Sequence, residues 1–328
     1  MTGRTAALIE RMLAGDRIAL AKLITLVESR DPQTPEVMAR LHARSGGAAL
    51  LGVTGPPGAG KSTLVDRLIG AFRLAGQRVG VVAVDPASPF SGGAVLGDRI
   101  RMQAHFLDEG VFIRSLSARG NVGGLARATR DVARLLAAFG NDRIIVETVG
   151  VGQNEFDVMR VAETVVVVLV PEAGDTIQAM KAGLLEIADI FIVNKADRDG
   201  AARMQAELDQ MLHLRPAHGW EVPVLLTVAA EGSGVAELVD AIDRHRRFLA
   251  ESGEGARRAA AGRHAEFVGA LHDELGRRLE RALRNGALDG LLAQVERGEV
   301  DPYAALARVL GDRRLFTTLG DDADGSAS

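Results

Sequence analysis

Gly55-Pro56-Pro57-Gly58-Ala59-Gly60-Lys61-Ser62 sets a lysine and a hydroxyl directly behind a glycine-rich turn, between an apolar run at 49–54 and a stretch of helical character. It fits the pattern GxxxxGK[ST] at every position. Such a loop can wrap with its N–H groups pointing inward, and the start of the following helix adds its own amides, so the arrangement suits a polyphosphate anion. Gly55, Gly58, Ala59, Gly60, Lys61, Ser62 and Thr63 are therefore the expected phosphate contacts. Lys61 is placed to reach the β- and γ-phosphates and Ser62 to ligate Mg²⁺.

Three more polar stretches follow apolar runs. Val84-Asp85-Pro86 opens a loop rich in glycine, proline and small residues that continues to Asp98-Arg99-Ile100-Arg101-Met102. It carries two carboxylates at a strand end. Asp85 is the better candidate for a metal-linked role, directly or through water, while Asp98 also suits the cap of a following helix. The run 143–148 ends in Glu147-Thr148-Val149-Gly150, an ExxG where many GTPases have DxxG. Glu147 can hold Mg²⁺ or its water shell, and Gly150 can offer its backbone N–H to a γ-phosphate.

The run 189–194 leads into Asn194-Lys195-Ala196-Asp197, an NKxD. An aspartate carboxylate there can accept from guanine N1–H and its 2-amine together, groups that adenine does not present, so GTP is expected over ATP. NKxD is short and weak alone. After a phosphate loop and ExxG, in that order, it is specific. Val228 and Ala229, behind the last apolar run, stand where backbone contact with the base is expected, although the usual serine-alanine is not there.

These stretches need a scaffold. Apolar runs at 49–54, 79–84, 143–148, 164–170, 189–194 and 223–228 alternate with helical stretches, which predicts an α/β fold with a mostly parallel sheet covered on both faces. Ligands of such sheets bind at the carboxyl ends of the strands. Ahead of the first run, apolar residues at helical spacing break near Gly15-Asp16 and predict two short helices; a third is expected with Thr34 as cap and Pro35 at its first position. The expected division is a helical segment at 1–46, a nucleotide-binding domain at 47–252, a helical arm at 253–318 and a disordered acidic tail at 319–328. Along the arm, Phe267, Leu271, Leu275, Leu279 and Leu283 form an apolar stripe.

The 328 residues carry a net charge of −4, with 47% hydrophobic and 25% charged, and contain no cysteine. That balance gives no electrostatic footprint for nucleic acid or an anionic membrane surface. Without cysteine there is no disulfide framework and no thiolate ligand for structural zinc. The N-terminal residues do not read as a secretory signal, and the longest apolar run is too short to span a bilayer, so a cytoplasmic protein is expected.

GPPGAGKST, VDPASPFSGGAVLGDRIRM, ETVGVGQNE and NKAD, in this order and spacing, resemble the MeaB/ArgK-type GTPases associated with methylmalonyl-CoA mutase. The resemblance covers nearly the whole chain. It implies a SIMIBI-class GTPase fold and a homodimer built through the C-terminal arm. It also implies a chaperone role in which GTP binding and hydrolysis gate adenosylcobalamin delivery to, and protect, a cobalamin-dependent acyl-CoA mutase. No directly bound cobalamin is expected. By the same resemblance Lys61, Ser62, Asp85, Asp98 and Glu147 serve phosphate, Mg²⁺ and hydrolysis, with Lys61, Asp98 and Glu147 catalytic. Asn194, Lys195 and Asp197 serve guanine, and Asp175, Gln178 and Lys181 form a further switch that senses nucleotide and partner. Hydrolysis is expected to be slow alone and stimulated by the partner. Two alternatives stand beside this: a GTPase delivering a metal such as nickel, which would want Cys/His clusters this chain lacks, and a nucleotide-switched binding module with incidental hydrolysis.

Overall fold

The computed structural model describes residues 2–85, 103–105, 107–117, 124–148, 150, 159–171, 183–214 and 219–311. Among them seven strands form one all-parallel sheet: β1 Ala49–Thr54, β2 Val79–Asp85, β3 Val111–Ser117, β4 Arg143–Thr148, β5 Thr164–Leu169, β6 Ile190–Asn194 and β7 Val224–Thr227. Their order is β3-β2-β4-β1-β5-β6-β7. From β1 the chain builds one half of the sheet, then returns to build the other from β5. The crevice beside β1 at its carboxyl end is therefore the switch point where open α/β sheets take ligands.

The sheet is buried because its strands are apolar on both faces. Val82, Val84, Ile144, Val146, Val165, Val167, Phe191 and Val193 join one hydrophobic cluster. Their sequence neighbours Val81, Ile145, Val166, Val168, Ile190 and Ile192 join the other, with Leu51 and Val53. This is the period-two alternation of a strand applied to a sheet with two covered sides, each fully buried valine or isoleucine contributing roughly 1.5–3 kcal/mol.

Helices α1 Gly3–Leu13, α2 Arg17–Glu28 and α3 Thr34–Leu41 supply Ile9, Met12, Leu20, Leu23, Ile24, Val37 and Leu41 to the first cluster. The break between α1 and α2 falls at Gly15-Asp16, where Asp16 Oδ1 accepts from the N–H groups of Ile18 and Ala19 at 2.8 and 3.0 Å. Arg17 then donates to the carbonyls of Glu109 and Val111 at 2.9 and 2.7 Å, fixing α2 to the start of β3. Helix α4, Lys61–Leu74, follows β1; α5, Gly124–Ala138, precedes β4; α6, Leu184–Ile187, precedes β6; α7, Ala201–His213, and α8, Val235–Glu251, flank β7.

Two local expectations are corrected. β3 lies outside the six predicted runs, because Arg114 and Ser115 interrupt its apolar pattern; as an edge strand it leaves those residues half-buried. Thr34 is the first helical residue of α3 rather than its cap. Gln33 holds the cap position, and the Thr34 hydroxyl makes no hydrogen bond.

The chain divides into two compact units, Met1–Ala259 and Ala260–Ser328. The second contains most of α9, Glu254–Arg284, followed by α10, Asp289–Glu296, and α11, Pro302–Gly311. Along α9, Phe267, Leu271, Leu275, Leu279 and Leu283 are exposed at four-residue spacing. No helix among the described residues is long and apolar enough to cross a membrane.

Candidate nucleotide site

The turn after β1 takes its shape from two glycines. Gly55 has φ 149°, and a Cβ there would stand 2.0 Å from the Val168 carbonyl oxygen on β5. Gly60, at φ 87°, precedes the first residue of α4, and a Cβ there would stand 2.4 Å from Asn194 Nδ2. Neither close approach admits a side chain, so the pattern's first and last glycines are demanded by β5 and by Asn194.

Lys61 and Ser62 begin α4 and are both buried, 6% and 5% exposed. Lys61 Nζ donates to the carbonyls of Gly55 and Pro56 at 2.9 and 3.0 Å, so its ammonium lies back along the loop. Ser62 Oγ donates to Glu147 Oε1 at 2.6 Å. Glu147 is brought there by β4, which pairs in parallel with β1. Beside this pair the Thr148 hydroxyl donates to Thr54 Oγ1 at 2.8 Å, and both threonine hydroxyls reach the Gly150 carbonyl, at 3.3 and 3.2 Å. That knot fixes how the ExxG turn leaves β4. Sequence reasoning did not single out Thr54 or Thr148.

Asn194 closes β6 and is almost wholly buried. Its amide Nδ2 donates to the Ala59 carbonyl at 2.8 Å, and its Oδ1 accepts from Thr227 Oγ1 at 3.1 Å and the Ala229 N–H at 3.0 Å. The side chain is thus a strut between the phosphate loop and the segment after β7. Lys195 follows in the left-handed region at φ 57°, and Asp197 stands exposed in the next turn, which the Ala196 N–H anchors to the Thr227 carbonyl at 3.0 Å. The Ala229 N–H is engaged by Asn194, while Val228 forms a bridge with Ser233.

The structure therefore gathers Gly55, Ala59, Gly60, Lys61, Ser62, Glu147, Gly150, Asn194 and Ala229 at the carboxyl ends of β1, β4, β6 and β7. Asp85 is the last residue of β2, which neighbours β4. The Asp85 side chain and the whole of Asp98, Asp175, Gln178 and Lys181 lie outside the described residues. His213, half of the closest histidine pair, bonds through Nδ1 with the Asp209 carbonyl at 2.6 Å, and its partner His218 lies outside the described residues. Among the described residues no group of three or more His, Cys, Asp or Glu is arranged to hold a metal ion.

A parallel sheet whose switch-point turn wraps tightly behind a buried lysine, and whose sixth strand delivers an NKxD turn to the same edge, is the architecture of P-loop GTPases. Comparison with known proteins sharpens this. The family model described as methylmalonyl-CoA mutase-associated GTPase MeaB matches residues 20–283, and the chain belongs to that family. A protein of Pyrococcus abyssi, provisionally named a GTPase, is 47% identical over 307 residues, covering 92% of this chain and 95% of its own. GTPase ArgK of Escherichia coli is 37% identical over 254 residues, 75% of this chain and 77% of its own. The crystal structure of a LAO/AO transport system kinase superposes with a TM-score of 0.68 at 28% identity, over 98% of this chain and 99% of that one.

Proposed function

We propose that this GTPase gates the delivery of adenosylcobalamin to a cobalamin-dependent acyl-CoA mutase, methylmalonyl-CoA mutase or a relative, and protects that enzyme. The family's description as mutase-associated supports the partner. The observation that carries the nucleotide part is the 2.6 Å contact between Ser62 and Glu147 beside a lysine held by its own loop. It joins the phosphate loop to the strand end that carries the ExxG turn.

The donor set fits Mg²⁺. A hydroxyl and a carboxylate are hard oxygen ligands, and Ser62 and Glu147 hold theirs in mutual contact next to the phosphate loop. Mg²⁺ bound there supplies charge compensation to the β- and γ-phosphates. Lys61 exchanges the Gly55 and Pro56 carbonyls for phosphate oxygens, compensating charge that develops as the terminal phosphoryl leaves. Asp85 and Asp98 complete the metal and hydrolytic set from the loop after β2, and Gly150 offers its N–H to the γ-phosphate. Asp197 reads the guanine edge.

Val151 follows the ExxG glycine where a water-orienting glutamine could stand, so turnover alone is slow. The partner supplies the missing order through Asp175, Gln178 and Lys181. The exposed stripe from Phe267 to Leu283 supports a homodimer through the C-terminal arm, in a cytoplasmic protein with no nucleic-acid or membrane partner.

The test is steady-state GTP hydrolysis with and without candidate mutases. A cognate mutase raises the rate at least about tenfold, equivalent to about 1.4 kcal/mol of barrier. No stimulation by any acyl-CoA mutase of the source organism would sink the mutase assignment and leave the GTPase standing. Cofactor loading that runs equally well with a non-hydrolysable GTP analogue would favour the binding-module alternative.

A further inference from the structure

On α4, Leu64, Val65, Leu68, Ile69 and Phe72 are buried, which leaves Arg67 on the helix's outer side. Its guanidinium nonetheless has a specific task. Nε donates to the Ala229 carbonyl at 3.0 Å, and Nη2 donates to the carbonyl of Ala230. A planar fork that takes two successive carbonyls fixes the orientation of the peptide between them, and its charge strengthens both bonds.

Ala229 is thereby held from both sides. Its N–H donates to Asn194 Oδ1 at 3.0 Å, and Asn194 Nδ2 donates to Ala59 at 2.8 Å. A closed ring results, running from the phosphate loop at Ala59 through Asn194 and Ala229 to Arg67. It returns along α4 to Lys61, six residues or about 9 Å away. The segment at 228–230 is the one expected to meet the base. Base selectivity depends on polar groups that cannot relax around the wrong edge, and a loop tethered at one end only would relax.

We propose that Arg67 is a positioning residue for guanine selectivity. It sets the Ala229–Ala230 peptide and ties that geometry to the helix that carries Lys61 and Ser62. The proposal rests on the guanine reading above and adds the element that makes that reading selective.

GDP, ADP and inorganic pyrophosphate titrated calorimetrically into the full-length parent, Arg67→Ala and Arg67→Lys test it. The parent prefers GDP over ADP. Arg67→Ala loses about tenfold in GDP affinity while ADP and pyrophosphate stay within about twofold, since only the base-side charge-assisted bonds are gone. Arg67→Lys, which keeps a cation able to reach one carbonyl, recovers part of the GDP-to-ADP ratio. A role in stability alone would lower the melting temperature, or all three affinities together, and leave the ratio at the parent's value; that result overturns the proposal while the parent's own preference preserves the guanine reading. A parent that binds GDP and ADP alike overturns both.

Discussion

Ser62 and Glu147, 85 positions apart in the sequence, meet through a 2.6 Å hydrogen bond, and each is about 5% exposed. The contact exists because β4 lies beside β1 in parallel, so both loops leave the sheet at the same edge. It places the one acidic group of the ExxG turn against the first hydroxyl of α4. If Glu147 holds a hard cation there, Glu147→Gln keeps the shape and removes the charge. GDP affinity should then change by no more than about threefold, while hydrolysis falls about 100-fold and requires more Mg²⁺, as loss of a preorganised charged group in an active site does. Mg²⁺ titrations of binding and turnover, run side by side, check this.

Lys61→Ala should remove most triphosphate affinity and at least about 100-fold of the hydrolytic rate. The lysine also holds the Gly55 and Pro56 carbonyls, so its loss loosens the loop itself. Single-turnover hydrolysis at saturating GTP separates the two effects. Turnover like the parent's would exclude the phosphate-loop assignment.

Gly55→Ala tests the scaffold rather than the chemistry. The new methyl group would stand 2.0 Å from the Val168 carbonyl oxygen, a backbone atom held in β5, and φ is positive there. A loss of roughly 2–3 kcal/mol is expected in denaturant unfolding, within the range seen when backbone strain is added to a packed site. An unchanged unfolding midpoint would show that the β1 turn has another conformation available.

What the sequence made legible follows from where the information lies. The phosphate turn could be read because glycine spacing is a backbone requirement, and here β5 and Asn194 enforce it at Gly55 and Gly60. β1, β2, β4, β5 and β6 could be read because both their faces are covered and their centres are apolar, and β7, the other edge strand, because Val224-Leu225-Leu226 stays apolar even where Leu226 is exposed. β3 could not, since an edge strand tolerates Arg114 and Ser115. Asn194 was legible as part of NKxD, but that its amide joins Ala59 to Ala229 was not, because both partners are backbone groups with no side-chain signature. Arg67 escaped for the same reason: its acceptors are carbonyls 162 and 163 positions away.

Acid should weaken the fold through His245, which is fully buried beside Thr164 at the amino end of β5. Its Nδ1 bonds with Thr164 Oγ1 at 2.9 Å, its Nε2 faces Asp189 Oδ1 at 3.3 Å, and Arg258 donates to the same carboxylate oxygen at 3.0 Å. Burial pushes its pKa below the ordinary 6.5, Asp189 opposes that shift and Arg258 adds to it. A group whose folded pKa is depressed contributes stability above its unfolded pKa and loses it as pH falls through the folded value. The melting temperature should therefore decline below about pH 6.5, and His245→Gln should flatten that decline. Trp220, the single tryptophan, lies 4.7 Å from the His245 ring and reports the transition by its fluorescence. A parent and His245→Gln with parallel pH profiles would assign the acid sensitivity elsewhere.

In the proposed site guanine nucleotide binds at the carboxyl ends of the strands and is read by Asp197 in the exposed turn after β6. Competition calorimetry with GTP, ATP and xanthosine triphosphate on the parent and Asp197→Asn tests it most directly. The parent should prefer GTP over ATP by at least about 100-fold, because a site built for the guanine edge leaves polar groups unpaired with adenine. Asp197→Asn should lose GTP and gain xanthosine triphosphate, whose carbonyl can accept from the new amide. A parent that binds ATP and GTP equally, or an Asp197→Asn protein that still prefers GTP, would contradict the account.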